Sequence, residues 1–92
     1  MVDDYSDNHD REVDAFDLDM LRRVTSIPII CVYRMPSDYP HHFVARLWDR
    51  NILTPLIAKA STLEELRLKK PPDMMILARD PRDDPIIVEN WI

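Results

Sequence analysis

The residues with the widest chemical repertoire in this chain are its single cysteine, Cys31, and the adjacent pair His41 and His42. Adjacent residues on a strand point to opposite faces, so the two histidines could share a metal ion only from a loop, and no third ligand stands at a usual spacing. Cys31 lies in a β-branched, apolar run, where a cysteine ordinarily serves as a small buried hydrophobe. No oxyanion donor or orienting group completes a Cys–His pair. The sequence therefore predicts a protein that is not an enzyme and holds neither metal nor cofactor.

A group of carboxylates near the C-terminus, Asp80, Asp83 and Asp84, suggests a site for a hard cation. A calcium loop would add a central glycine and a closing glutamate, but the chain contains no glycine. The same absence excludes the glycine-rich phosphate loops of nucleotide-binding proteins and the nucleophile elbow of α/β-hydrolases. Because prolines and arginines alternate with these acids, we expect a solvated loop held by local ion pairs.

Acidic residues are concentrated at the N-terminus, where eight of the 17 Asp and Glu residues lie within residues 1–19. Residues 1–10 carry too little apolar surface to offset the entropy of ordering, which predicts a disordered acidic tail. The acidic segment over residues 1–19 can simply keep the protein soluble or fold back on its own basic body. Alternatively, its carboxylates can stand in for phosphates and occupy the nucleic-acid groove of a partner.

The rest of the chain mixes bases with acids instead of gathering bases on one face, which argues against direct binding to nucleic acid. No stretch approaches the roughly 20 consecutive apolar residues that cross a bilayer, and the acidic N-terminus is unlike an export signal. A single cysteine cannot form an internal disulfide. These features predict a soluble protein of the cytoplasm that does not bind membranes.

Helical periodicity begins where the acidic tail ends. Apolar residues recur at helical spacing over residues 11–24, while aspartates crowd the start and Arg22 and Arg23 the end, as suits the helix dipole. We therefore predict an amphipathic helix over residues 11–24 with Asp10 as its N-cap. Its apolar residues are Val13, Phe16, Met20, Leu21 and Val24.

After residue 26 the pattern becomes that of strands interrupted by one short helix. A capping-box pattern at Ser61 or Thr62 begins this helix, and Pro71 ends it. Short connections favour antiparallel neighbours, so residues 11–92 are predicted to form a single α+β domain with its sheet core in residues 27–92. The sheet is curved and mainly antiparallel, with the short helix packed on it and the acidic helix before it. About five strands are predicted, over residues 29–33, 43–48, 56–60, 74–78 and 86–92. Residues 49–51 are the predicted turn after the second strand, because Asn and Asp tolerate left-handed backbone where no glycine is present.

Large aromatic side chains are numerous for so small a core, and Trp and Tyr are the usual anchors of protein interfaces. Together with the segregated acidic segment, they predict a module that binds another protein, with a nucleic-acid-binding effector as one candidate partner. The same surfaces could also support a homodimer. The predicted partner contacts are Asp14, Phe16, Asp17, Met20, Arg46 and Trp48.

An alternative function is the binding of a small anionic ligand. A pocket between sheet and helix would hold an anion such as a nucleotide through His41, His42, Arg46 and Arg79. Binding of such a ligand would raise the melting temperature, and charge reversal at Arg46 would abolish that rise.

Three segments of the chain resemble small uncharacterised proteins of bacteria and their phages: residues 38–48 (DYPHHFVARLW), 62–65 (TLEE) and 80–91 (DPRDDPIIVENW). The resemblance covers about residues 28–92 and leaves out the acidic N-terminal segment. It implies an origin in a phage or mobile element. It also implies a role as an inhibitor or regulator of a host protein, of the anti-defence or anti-CRISPR type, and brings no catalytic residues with it.

Overall fold

A computed structural model of the protein describes residues 10–92 as two short helices and one six-stranded sheet. The strands lie in the order β1-β4-β3-β2-β6-β5, so β1 and β5 form the two edges. All neighbouring strands are antiparallel except β1, which runs parallel to β4. The predicted α+β domain with a mainly antiparallel sheet is confirmed, with six strands instead of about five. In chain order the elements are β1 (Arg11–Glu12), α1 (Leu18–Val24), β2 (Pro28–Arg34), β3 (Phe43–Asp49), β4 (Ile52–Ala60), α2 (Leu63–Arg67), β5 (Ile76–Ala78) and β6 (Ile87–Trp91).

The predicted helix over residues 11–24 is wrong in its first half. Arg11–Glu12 instead form β1 beside β4, and the helix begins at Leu18. Its N-cap is Asp17, not Asp10. Asp14 and Asp17 precede the helix, and Asp is a poor helix former, whereas Arg11 and Glu12 gain backbone pairing with the open edge of β4.

A tight turn joins β3 to β4 at the place where the sequence predicts one. Its two residues are Arg50 and Asn51, between the paired residues Asp49 and Ile52. The sequence assigns left-handed backbone in this turn to Asn or Asp, but the residue that adopts it is Arg50, with φ of 60°. Type II′ hairpin turns favour glycine at this first position, and the chain has none to offer.

The core lies between the two helices and one face of the sheet, which we call the covered face. Small side chains on this face, Ala45, Ala58 and Ala60, let the helices approach closely. Trp91 is 0% exposed there and meets Phe16 edge to face, with 6.4 Å between ring centroids. The other buried apolar residues of this core are Leu21, Ile30, Val32, Leu47, Leu66 and Met74.

Helix α2 is fastened at both ends. Thr62 Oγ1 accepts a hydrogen bond from the Glu65 N–H at 3.1 Å, so the predicted cap is confirmed at Thr62. At the other end, Arg67 Nε donates to the buried carboxylate of Glu89 at 3.1 Å, and Trp91 Nε1 donates to the same carboxylate at 2.8 Å. Burial raises the pKa of Glu89, but these hydrogen bonds outweigh it and leave that pKa below its ordinary value.

The structure describes only part of the N-terminal segment for which the sequence makes predictions. Residues 1–9 of the predicted disordered tail lie outside them, whereas Asp10 is held on the sheet by contacts given below. No helix within residues 10–92 is both long enough and apolar enough to cross a membrane.

Candidate functional site

The second face of the sheet, which we call the open face, carries large apolar and aromatic side chains. Strand register aligns Ile29 with Trp48 and Trp48 with Leu53, and Tyr33 and Leu77 point to the same side by the two-residue period. Among residues 10–92, neither helix belongs to this side, because both pack into the core of the covered face. Leu53 and Leu77 are 52% and 49% exposed. The described part of the chain thus leaves an apolar sheet surface in contact with solvent.

Two aromatic residues at the centre of the open face fix each other. Trp48 Nε1 donates a hydrogen bond to Tyr33 Oη at 3.1 Å. Burial raises the pKa of Tyr33, so its phenol stays protonated at neutral pH. Because the polar tips satisfy one another, the ring faces remain as half-buried apolar surface with little conformational freedom to lose on binding.

A groove runs beside Tyr33, the tyrosine of this pair. Its volume is about 450 Å³, and its apolar walls include Pro36, Val44, Leu53 and Ile86. Asp38 stands on its rim, with a side chain 52% exposed. Asp38 Oδ2 also lies 3.8 Å from Arg46 Nη2, so the groove could receive an apolar side chain whose neighbouring cation would share Asp38 with Arg46.

Arg46, a predicted partner contact, is tied up within the protein. Its Nη1 and Nη2 bind the two carboxylate oxygens of Asp10 at 2.7 and 3.0 Å, and Nη1 also donates to the Thr54 carbonyl at 2.9 Å. Its side chain is 11% exposed. These bonds give Arg46 the task of anchoring the start of the described chain to β3.

Tyr39 extends this anchor into the loop between β2 and β3. Its hydroxyl donates to Asp10 Oδ2 at 2.8 Å, and the Lys59 ammonium lies 5.0 Å from its ring centroid. Burial, followed by the hydrogen bond to the Asp10 carboxylate, raises the pKa of Tyr39 to about 12. The loop and Asp10 together cover the part of the open face beside Arg46 and Lys59. The part around Trp48 stays open.

The other predicted contacts lie on the opposite side of the molecule. Phe16 is buried against Trp91, and Met20 packs on the core. Asp14 and Asp17 are exposed, the latter as the N-cap of α1. The six predicted contacts therefore do not form one surface, because the sheet separates the acidic helix from Trp48, and as partner contacts they stay predictions.

The residues of the ligand-binding alternative are also dispersed. Arg46 is bound to Asp10, and Arg79 follows β5 at the far edge of the sheet, where its Nη2 donates to the Asp83 carbonyl at 2.9 Å. His42 lines a different groove, in which Lys59 and Lys69 are balanced by acids. His41 is exposed in the β2–β3 loop.

The acidic loop has the local ion pairs that the sequence predicts, whereas Cys31 is less buried than predicted. Cys31 is half-buried on β2, and burial raises the pKa of its thiol to about 11, so little thiolate exists at neutral pH. In the loop, Asp80 forms an ion pair with Arg82 at 3.1 Å, and Asp84 Oδ1 accepts from the Ile86 N–H at 3.1 Å. Within residues 10–92, no three His, Cys, Asp or Glu side chains are grouped so as to hold a metal ion.

Sequence reasoning identified Trp48 but missed Leu53, which lies opposite it, and the more distant apolar residues Leu77 and Ile86. It began β4 near residue 56, although the structure begins it at Ile52. A two-residue turn after Asp49 would have placed Leu53 opposite Trp48, and this signal was present in the sequence.

Comparisons of the chain with protein-family models, with curated proteins and with solved structures find no match.

Proposed function

We propose that this protein is a non-enzymatic module that binds another protein through the open face of its sheet. The observation that supports this function most directly is an apolar, aromatic sheet surface centred on Trp48 that the described residues leave uncovered. Trp and Tyr held rigidly beside exposed leucines are typical of interface centres. A solvent-exposed cluster of this kind costs solubility unless it has an occupant.

The chemistry around the open face indicates what the partner offers. Asp38, which lies 3.8 Å from Arg46, and Asp83 near Cys31 place carboxylates beside the apolar side chains, and the whole chain has a formal net charge of -5. Such a surface fits an apolar knob flanked by Lys or Arg. Basic surfaces of this kind are common on nucleic-acid-binding proteins. Within this proposal, the resemblance to small phage proteins favours one class of partner over other proteins with basic surfaces. That class is a bacterial defence effector of the kind that an anti-CRISPR protein targets.

Site-specific photo-crosslinking in a bacterial lysate tests the surface directly. The photoreactive residue p-benzoylphenylalanine replaces Leu53 on the open face or, as the matched control, Leu68, which is 85% exposed at the end of α2. We expect a discrete crosslinked protein from position 53 and none of that species from position 68. The same products from both positions, or none from position 53, would overturn the assignment of the surface.

The captured protein is then purified and its affinity measured by calorimetry. Trp48→Ala should weaken binding by about 30-fold or more, the size of an interface hot spot. A variant lacking residues 1–9 measures the part played by the acidic tail, and removal stops there because Phe16 and Leu21 belong to the core. Unchanged affinity for Trp48→Ala would rule out the open face as the binding surface.

A further inference from the structure

We propose that β5 pairs antiparallel with β5 of a second copy of this chain, so that the two sheets become continuous. This inference concerns the edge of the sheet, not the surface around Trp48, and does not depend on the proposed function. It rests on three features of β5: its unpaired backbone groups, its apolar composition and its self-complementary charges.

The outward backbone groups of β5 follow from its pairing with β6. Met75 and Ile92 exchange both of their backbone hydrogen bonds, at 2.7 and 3.0 Å. Antiparallel pairs alternate between bonded and non-bonded positions, so Ile76 and Ala78 turn their N–H and C=O groups away from β6. These groups face the edge, where residues 10–92 provide no further strand.

The two edges of the sheet differ in how they are protected. Edge β1 consists of Arg11 and Glu12, which are charged and exposed, a common defence against pairing with another chain. Edge β5 carries no charge, proline or bulge, and Met75 beside it is exposed. Its length of three residues limits the pairing, but an apolar edge without charge, proline or bulge still offers a template for strand addition.

A twofold axis through Leu77 satisfies both the backbone and the charges of this edge. Ile76 of one copy then exchanges hydrogen bonds with Ala78 of the other, and the two Leu77 side chains meet at a non-bonded position. The uncharged segment begins after Asp73 and ends before Arg79, so antiparallel pairing directs the acid of each copy toward the base of the other.

Sedimentation velocity from micromolar to millimolar concentration tests the pairing. The wild-type chain should sediment at twice the 10.9 kDa of one chain. Leu77→Lys places like charges opposite each other and should raise the dimer dissociation constant at least about tenfold. The matched control is Ile52→Lys, because Ile52 is an exposed residue on β4, four strands away, and it should leave the constant unchanged. A monomer at every concentration, or equal constants for both variants, would refute the pairing.

A crosslinking variant guards against a misfolded lysine variant. At a non-bonded position the two Cα atoms lie about 4.5 Å apart, within the range that a disulfide spans. In a Cys31→Ser background, Leu77→Cys should therefore oxidise to a covalent dimer faster than Ile52→Cys by at least about tenfold, whether or not Leu77→Lys folds. Equal rates for the two cysteine variants would contradict the proposed register.

Discussion

The two faces of the sheet use the same kinds of residue for different ends. Each carries a tryptophan with its indole N–H satisfied: Trp91 by Glu89 on the covered face and Trp48 by Tyr33 on the open face. Each also carries an arginine–carboxylate pair that fastens a peripheral segment to a strand, Arg67 with Glu89 and Arg46 with Asp10. The helices close over the first set and leave the second beside exposed leucines. Satisfied indole N–H groups and arginine–carboxylate pairs therefore do not distinguish a core from a binding surface. The two faces differ in whether helices cover them.

The largest expected effect comes from truncating the two tryptophans, one on each face of the sheet. Trp91→Ala should cost about 3 to 5 kcal/mol of unfolding free energy, because a fully buried ring leaves a cavity. Trp48→Ala should cost only about 1 to 2 kcal/mol, because its ring is only partly buried. Urea unfolding followed by circular dichroism measures both. Equal losses would mean that the open face is covered in solution.

Removing the base from the covered face is the next largest change. Arg67→Met leaves the buried Glu89 carboxylate without its cation and should cost about 3 kcal/mol at neutral pH. The pKa of Glu89 is lowered in the folded protein, so the stabilisation that this pair supplies is full above the ordinary value of 4.5 and is lost as pH falls through the folded value. The stability difference between wild type and variant should therefore shrink in acid. Arg23→Met, an exposed arginine on α1, is the control that should show no such convergence.

The anchor on the opposite face can be tested at alkaline pH. Tyr39→Phe removes a hydrogen bond to the Asp10 carboxylate and should cost about 1.5 to 3 kcal/mol near neutrality. The folded pKa of Tyr39, about 12, is above its ordinary value of 10.0. The stabilisation is therefore complete below about pH 10 and declines as pH rises toward about 12. Melting temperatures of the two proteins should converge over that range, and parallel curves would disprove the role of the hydroxyl.

The smallest expected effect concerns the turn between β3 and β4, which places Leu53 opposite Trp48 on the open face. Arg50→Gly relieves the positive φ and should stabilise the protein by about 0.5 to 1 kcal/mol. Asn51→Gly is the control, since Asn51 has no positive φ and the added flexibility should stabilise nothing. Thermal unfolding compares the two variants. A gain for Asn51→Gly equal to that for Arg50→Gly would mean that the turn has a different conformation in solution.

Much of the fold was predictable because it depends on local signals. The β-branched run of β2, the cap at Thr62 and the proline that follows α2 each constrain the backbone within a few residues. The anchor of Arg46 was not predictable, because Asp10 lies 36 residues away in the sequence. Strand β1 was missed for a related reason: its two residues carry no strand pattern, and only the free edge of β4 pairs them. Exposure of Trp48 likewise depends on which face the helices cover.

The two ends of the described range, residues 10 and 92, lie toward opposite edges of the sheet. Asp10 is fixed at the β4 side of the sheet, whereas Ile92 is paired with Met75 at the opposite edge. A fluorophore, affinity tag or surface linker joined ahead of residue 10 therefore starts away from β5, whereas one joined after Ile92 starts directly beside it. A tether attached after Ile92 would therefore lie close to β5 and interfere with its pairing to a second copy.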